Sequence, residues 1–248
     1  MRLVLADIEE RALTAQVDRL TADGATVLGV VTDVADFAAV EALAEATTDR
    51  LGPVHFLFNN AGVGGGGPMI ADDDLDMWDW VLGVNLKGVV HGIKAFVPAM
   101  LAHGEPCHVV NTASMAGLLA TPGLGVYNAS KYAVVAMSET LALETAETAL
   151  GVSVLCPGFV QTGIAESDRN LPEHLVSLEE PTAEQEFMRQ MVRDLVAGGL
   201  PPSDVADRIV EGVRTGRFAI LPHPQYGEQI VARSRALARG ELPTMWAI

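Results

Sequence analysis

The sequence predicts an α/β fold, a single domain built on a doubly wound parallel sheet, over residues 1–248. Three observations carry this. Short apolar runs alternate with longer stretches of helical periodicity. The apolar runs close, at their carboxyl ends, on polar or turn residues: Asp7, Asp33, Asn59 and Pro157. Hydrophobic residues make up 49% of the chain against 19% charged, enough for one sizeable core.

Leu3 to Ala6 form the first run, ending at Asp7; helical spacing follows from Ile8 to Asp23, with a stop at Gly24. Ala25 to Val31 is a second strand, closing on Asp33-Val34, and Phe37 to Arg50 a second helix, broken by Gly52-Pro53. Val54 to Phe58 leads into Asn59-Asn60-Ala61-Gly62. Leu75 to Met100 then reads as one long helical stretch that Pro98 is placed to terminate or kink. His108 to Thr112 is a strand, Tyr127 to Ala149 a long helix, and Val152 to Cys156 a strand ended by Pro157-Gly158. Residues 163–202 break the rhythm: they are polar, carry Pro172 and Pro181, hold one amphipathic helix from Glu184 to Val196, and are expected to form a lid over a substrate. Arg217 to Leu221 is a last strand and Tyr226 to Arg239 a terminal helix. The run Gly64 to Gly67 reads first as a flexible loop and second as a place where a ligand approaches closely.

Charge narrows the function. Acidic residues number 32 against 16 basic ones, a net charge of −16 that repels phosphate backbones, so no nucleic-acid partner is expected. No apolar run reaches the roughly 18 residues of a membrane helix, and no basic-then-apolar leader opens the chain, so a cytoplasmic protein without a membrane partner is expected. Cys107 and Cys156 lack metal-ligand spacing and read as reduced and structural, and the six scattered histidines suggest no metal site. The acidic cluster from Asp72 to Asp76 reads as the start of a helix.

The chemistry concentrates in Tyr127-Asn128-Ala129-Ser130-Lys131, where a helix sets Tyr127 and Lys131 one turn apart on one face. A phenol with a pKa of about 10 is a poor base at neutrality, and a neighbouring ammonium is expected to lower it. Ser114, in Asn111-Thr112-Ala113-Ser114, directly follows a strand, where its hydroxyl can hydrogen-bond a substrate oxygen. A serine-hydrolase reading fails for want of a G-x-S-x-G elbow around Ser114. An isolated Tyr-x-x-x-Lys pair would be an ordinary exposed helical pair.

Over most of its length, however, the chain resembles the short-chain dehydrogenase/reductase family. The resemblance lies in Asn59-Asn60-Ala61-Gly62, in Asn85 within Val84-Asn85-Leu86-Lys87-Gly88, in Ser114, Tyr127 and Lys131, and in Pro157-Gly158-Phe159-Val160-Gln161-Thr162. It implies a Rossmann-like sheet and a nicotinamide-dependent oxidoreductase acting on a small-molecule alcohol or ketone. By the same resemblance Tyr127 is the general acid/base, Ser114 positions the carbonyl or alcohol, Lys131 holds the nicotinamide ribose and tunes Tyr127, and Asn85 supports a proton-relay water. It further makes Asp33 and Val34 contacts to adenine, Asn60, Ala61 and Gly62 a wall beside the cofactor, Pro157 and Gly158 cofactor-binding residues at the strand's end, and Val160 and Thr162 contacts to the carboxamide. Asp7 suits an adenosine ribose and repels a further phosphate, which favours NAD over NADP; it equally suits a helix cap, with Glu10 three residues on. A homodimer or homotetramer through the two long helices is implied as well.

One part of the pattern is missing. No glycine-rich turn precedes Asp7 to cradle a pyrophosphate, so a first strand, turn and helix of roughly 30 residues are expected to be absent. The missing strand would lie centrally, between the strands ending at Asp7 and at Phe58. Two readings stay open: an incomplete version of a working dehydrogenase, favoured by the intact Asn85, Ser114, Tyr127 and Lys131, or a short form acting as a binding or oligomerisation scaffold.

Overall fold

The computed structural model describes residues 1–66, 69–72, 74–176, 180 and 182–243. Gly67, Asp73 and Pro181, named above, lie outside the described residues.

Six parallel strands and eight helices are described. The first sheet pairs β1 (Arg2–Asp7) with β2 (Thr26–Val31); the second runs β3 (Phe56–Asn59), β4 (Cys107–Thr112), β5 (Leu150–Leu155), β6 (Ala219–Ile220). Register is regular within each, with Leu3 opposite Val27, Leu57 opposite Val109 and Val109 opposite Val152. Among the described residues no ladder joins the two sheets. β1 and β2 therefore form one ladder and β3 to β6 another, with a break between the two.

The helices show how the two sheets still make one body. α2 (Phe37–Leu51), α4 (Gly88–His103) and α5 (Gly125–Glu144) lie on one face. There Val40, Leu43, Phe96, Met100 and Leu141 pack with Val109 and Val152 of the second sheet, and Val4 and Val30 of the first pack against the same cluster. The opposite face is covered at its two ends. α1 (Glu10–Ala22) sets Leu13 and Val17 against Gly29 of β2, and α7 (Pro202–Arg214) sets Val205 and Ile209 against Val110, Leu155 and Ile220. Between those ends Phe56 and Phe58, which alternate with the inward Leu57, are 44% and 37% exposed. Parallel strands of a doubly wound sheet are normally covered on both faces, so this stretch is uncovered for its type.

Several expectations are corrected. The long helical stretch from Leu75 divides into α3 (Leu75–Leu82), a π-helical turn (Gly83–Lys87) and α4. Pro98 does not end α4, which runs on to His103 and stops at Gly104 with φ 67°; Pro98 sits on the solvent side, where water can take the carbonyl that it frees. Residues 202–214 form α7, which was not anticipated, with Pro202 at its first position. In the lid segment α6 (Ala183–Ala197) matches the expected helix, opened by a capping box of Thr182 with Gln185. The helix α8 (Gly227–Ala238) closes the described fold. Asp74 caps α3 and Asp76 lies in its first turn, as a helix-start cluster should. The described glycines of the run are a tight packing joint rather than a flexible loop: a Cβ on Gly66 (φ 138°) would lie 2.6 Å from the Gly123 carbonyl oxygen.

Candidate active site

The carboxyl ends of β3, β4 and β5 bring together Asn59–Gly62, Asn111–Ser114 and Pro157–Thr162, and the first turns of α5 add Tyr127 and Lys131. The Ser114 hydroxyl donates to the Pro157 carbonyl at 3.4 Å and accepts from the Ala116 N–H at 3.1 Å, on the side of the site that Tyr127 faces. Burial pushes the phenol above its ordinary value, with the nearby Ser114 opposing. This corrects the expectation that Lys131 would draw it down: desolvation of the anion governs instead. The ammonium lies 5.6 Å from the centre of the Tyr127 ring, and its Nζ donates to the Thr112 carbonyl at 3.1 Å.

Lys131 is 3% exposed, and burial brings its pKa down to about 8, with Cys156 alongside opposing the fall. The Cys156 thiol is pushed up to about 12 by the same burial. An ammonium carries three donors, and the Thr112 carbonyl takes one, so Lys131 retains capacity for hydroxyls brought against it. Gly62 leaves room there, since a Cβ on it would come within 3.3 Å of Nζ and 3.2 Å of the Asn85 Oδ1. A buried multiple donor beside a side-chain-free wall has the chemistry to hold a sugar diol.

Asn85 is fully buried within the π-helical turn. Its Oδ1 accepts from the Val63 N–H at 2.8 Å, and its Nδ2 donates to the Val63 carbonyl at 2.9 Å and to the Ser130 Oγ at 3.2 Å. Ser130 in turn donates to the Tyr127 carbonyl at 2.7 Å. The extra residue of the π turn thus aims one amide at both the wall after β3 and the first turn of α5, a placement typical of π-bulges at working sites.

The other sequence-predicted residues take the following positions. Asp7 is exposed, and its Oδ1 accepts from the Glu9 N–H at 2.9 Å, so it shapes the corner into α1; the capping box with Glu10 does not form, because the helix starts at Glu10 with Glu9 before it. Asp33 closes a turn by accepting from the Ala35 N–H at 2.9 Å. Val34 packs on Gly88, and its carbonyl meets His91 Nδ1 at 2.8 Å. Asn60 accepts from the Thr112 hydroxyl at 3.2 Å, next to the exposed Ala61. The Pro157 carbonyl takes the Met115 N–H at 2.8 Å, and the Gly158 N–H donates to His223 Nδ1 at 3.0 Å. Val160 bridges to Leu200, and Thr162 precedes the 3-10 turns of Gly163–Asn170. Tyr127, Ser114, Lys131, Asn85 and Gly62 therefore share one site, while Asp7, Asp33 and Val34 line the first sheet's end.

Sequence reasoning missed the support beneath this site. Asn59 donates to Asn111 at 2.9 Å and Asn111 to Ser138 at 3.0 Å, a buried relay that ties β3, β4 and α5 together. It also missed Ser167, whose Oγ accepts from the Gly64 N–H at 2.9 Å, and Glu9 with Arg169. The available signal for the relay was polar residues inside otherwise apolar strands and helices. Among the described residues no group of three or more metal-ligating side chains gathers, and no helix is long and apolar enough to cross a membrane.

Comparison with known proteins agrees with the geometry. Residues 1–172 match the family described as short chain dehydrogenase. A "CLA biosynthesis dehydrogenase/reductase" of Lactiplantibacillus plantarum is 32% identical over 98% of this chain and 86% of its own length. A short chain dehydrogenase/reductase from Burkholderia phymatum, crystallised in complex with NAD, is 45% identical and superposes with a TM-score of 0.95, over all of this chain and 89% of that one. An actinorhodin polyketide ketoreductase variant crystallised with NADPH is 30% identical with a TM-score of 0.73, over 89% of this chain and 85% of that one.

Proposed function

This chain belongs to the short-chain dehydrogenase family of oxidoreductases, and from that premise we propose that it interconverts a secondary alcohol and a ketone with NAD as cofactor. The observation that carries the reading is the buried Lys131 ammonium 5.6 Å from the Tyr127 ring, with Ser114 beside the same phenol. When bound, the nicotinamide gives or takes the hydride.

The residues manage the proton. With its pKa raised by burial, Tyr127 is protonated at neutral pH, which suits it to donate to a ketone oxygen. The Ser114 hydroxyl fixes that oxygen against the phenol. Lys131 holds the ribose and keeps a positive charge beside the phenol while it is ionised, and Asn85 locks the turn on which the two rest. Asp7 favours NAD over NADP by repelling a further phosphate. In this reading the chain is a single catalytic domain, residues 163–202 are its lid, and α4 and α5 pair copies into a homodimer or homotetramer, which light scattering would test.

Tyr127→Phe tests the assignment. Turnover should vanish while calorimetric titration still shows NAD binding; unchanged turnover would sink it. Failure of the unaltered chain to bind NAD would favour the scaffold reading.

A further inference from the structure

The segment Gly163–Asn170 leaves the carboxyl end of β5 and does not stay beside it. Ser167, only 8% exposed, joins it to Gly64 in the loop after β3. Two residues on, it reaches the corner between β1 and α1. There Glu9 Oε1 accepts from Arg169 Nε at 2.9 Å, Arg169 Nη2 at 2.7 Å and Asn170 Nδ2 at 2.9 Å. Arg169 Nη1 meanwhile donates to the carbonyls of Gly163 at 2.9 Å and Glu166 at 2.8 Å, so the guanidinium braces its own segment while it grips Glu9. The pairing holds the Glu9 carboxyl below its ordinary range and raises the guanidinium, which fixes both charges.

The path therefore passes over the carboxyl ends of β5, β3 and β1 in turn. It bridges the two sheets across the break between them, and a crevice at the strands' carboxyl ends is where open α/β sheets hold ligands. Glu9 and Arg169 do no chemistry there, and their side chains are 32% and 47% exposed.

We infer that Glu9 and Arg169 are positioning residues whose contact holds Gly163–Asn170 closed across the crevice and slows release of the dinucleotide. This rests on the nicotinamide reading above. Glu9 anchors from the first sheet, Arg169 from the second, and Ser167 marks the closed position between them.

Charge reversal separates this from a merely structural pair. In the free protein, Glu9→Arg and Arg169→Glu should each speed amide exchange of residues 163–170 and Gly64 by about fivefold, the scale of a part-exposed pair. The double variant, which restores opposite charges in reversed order, should recover slow exchange. Release of NADH, followed by stopped-flow fluorescence, should quicken by about the same factor in the single variants and recover in the double. Where a reversal fails to fold, Glu9→Gln should move both readouts in the same direction by less. A double variant as open as the singles would overturn the pairing, and unchanged release from variants whose amides have opened would overturn retention. Absence of NADH binding in the unaltered protein would overturn the proposed function and retention with it, a result distinct from intact binding with unchanged release.

Discussion

In the proposed reaction Lys131 is the residue whose environment matters most. Burial places its pKa at about 8, so the ammonium is present below that pH and is lost above it. As proposed, ketone reduction would require that charge together with a protonated Tyr127, whose pKa lies above its ordinary value. Reduction should thus be level at neutrality and fall as pH rises through about 8. Lys131→Arg keeps its charge through this range and should carry its residual activity past that fall, which a pH profile of kcat/KM would read. A profile with the same fall in both forms would assign it to another group. Asn85 carries a stability role alongside. Asn85→Ala strips partners from both polar groups of Val63 and should lower unfolding stability by about 2–6 kcal/mol, since each buried orphan costs about 1–3 kcal/mol. Urea denaturation would measure it. Tyr127, Lys131 and Ser114 could be singled out in the sequence by residue type and spacing, and Asn85 by the family resemblance, and the structure brings the four together. The direction of the Tyr127 shift was not, because it depends on how much water the fold removes.

At the scale of elements, periodicity placed most strands and helices within a few residues, but it could not show the π turn. That turn exists because Asn85 finds Val63 and Ser130, two partners remote in sequence. α7 was hidden differently: Pro201-Pro202 reads as the end of a polar segment, although Val205, Ile209 and Gly212 follow at helical spacing and are buried. Glu9 and Arg169 were illegible for the same reason as Asn85, since 160 residues separate them. Close packing between elements gives a sharp test. α4 crosses β3 at Gly92, where a Cβ would collide with the Asn59 carboxamide and so with the relay through Asn111 to Ser138. Gly92→Ala should therefore destabilise by about 1–3 kcal/mol despite the better helix propensity of alanine, because overpacking a rigid polar joint outweighs a gain of about 1 kcal/mol. Equal or greater stability in chemical denaturation would show that β3 and α4 can separate freely.

At the scale of the whole molecule, among the described residues β1 pairs only with β2 and β3 only with β4, and Phe56 and Phe58 of β3 are 44% and 37% exposed. Unpaired strand edges next to exposed apolar surface template pairing with other chains. A net charge of −16 opposes that approach, since copies repel one another, but the repulsion is screened within about 10 Å at 0.1 M salt. Self-association through this edge should consequently grow with ionic strength, the opposite of what an association held by ion pairs would do. Phe56→Lys places an edge charge where β3 is open and removes half of the exposed aromatic surface. It should reduce the salt-dependent association while leaving the α2, α4 and α5 side of the core untouched, because that side is built on the inward Leu57. Light scattering across a salt series, with the unaltered protein and Phe56→Lys compared at equal concentration, separates the contributions. Association that rises with salt and is suppressed by the lysine locates the contact at the open edge. Association that is indifferent to both would locate it on the helical faces instead, where α4 and α5 are proposed to pair.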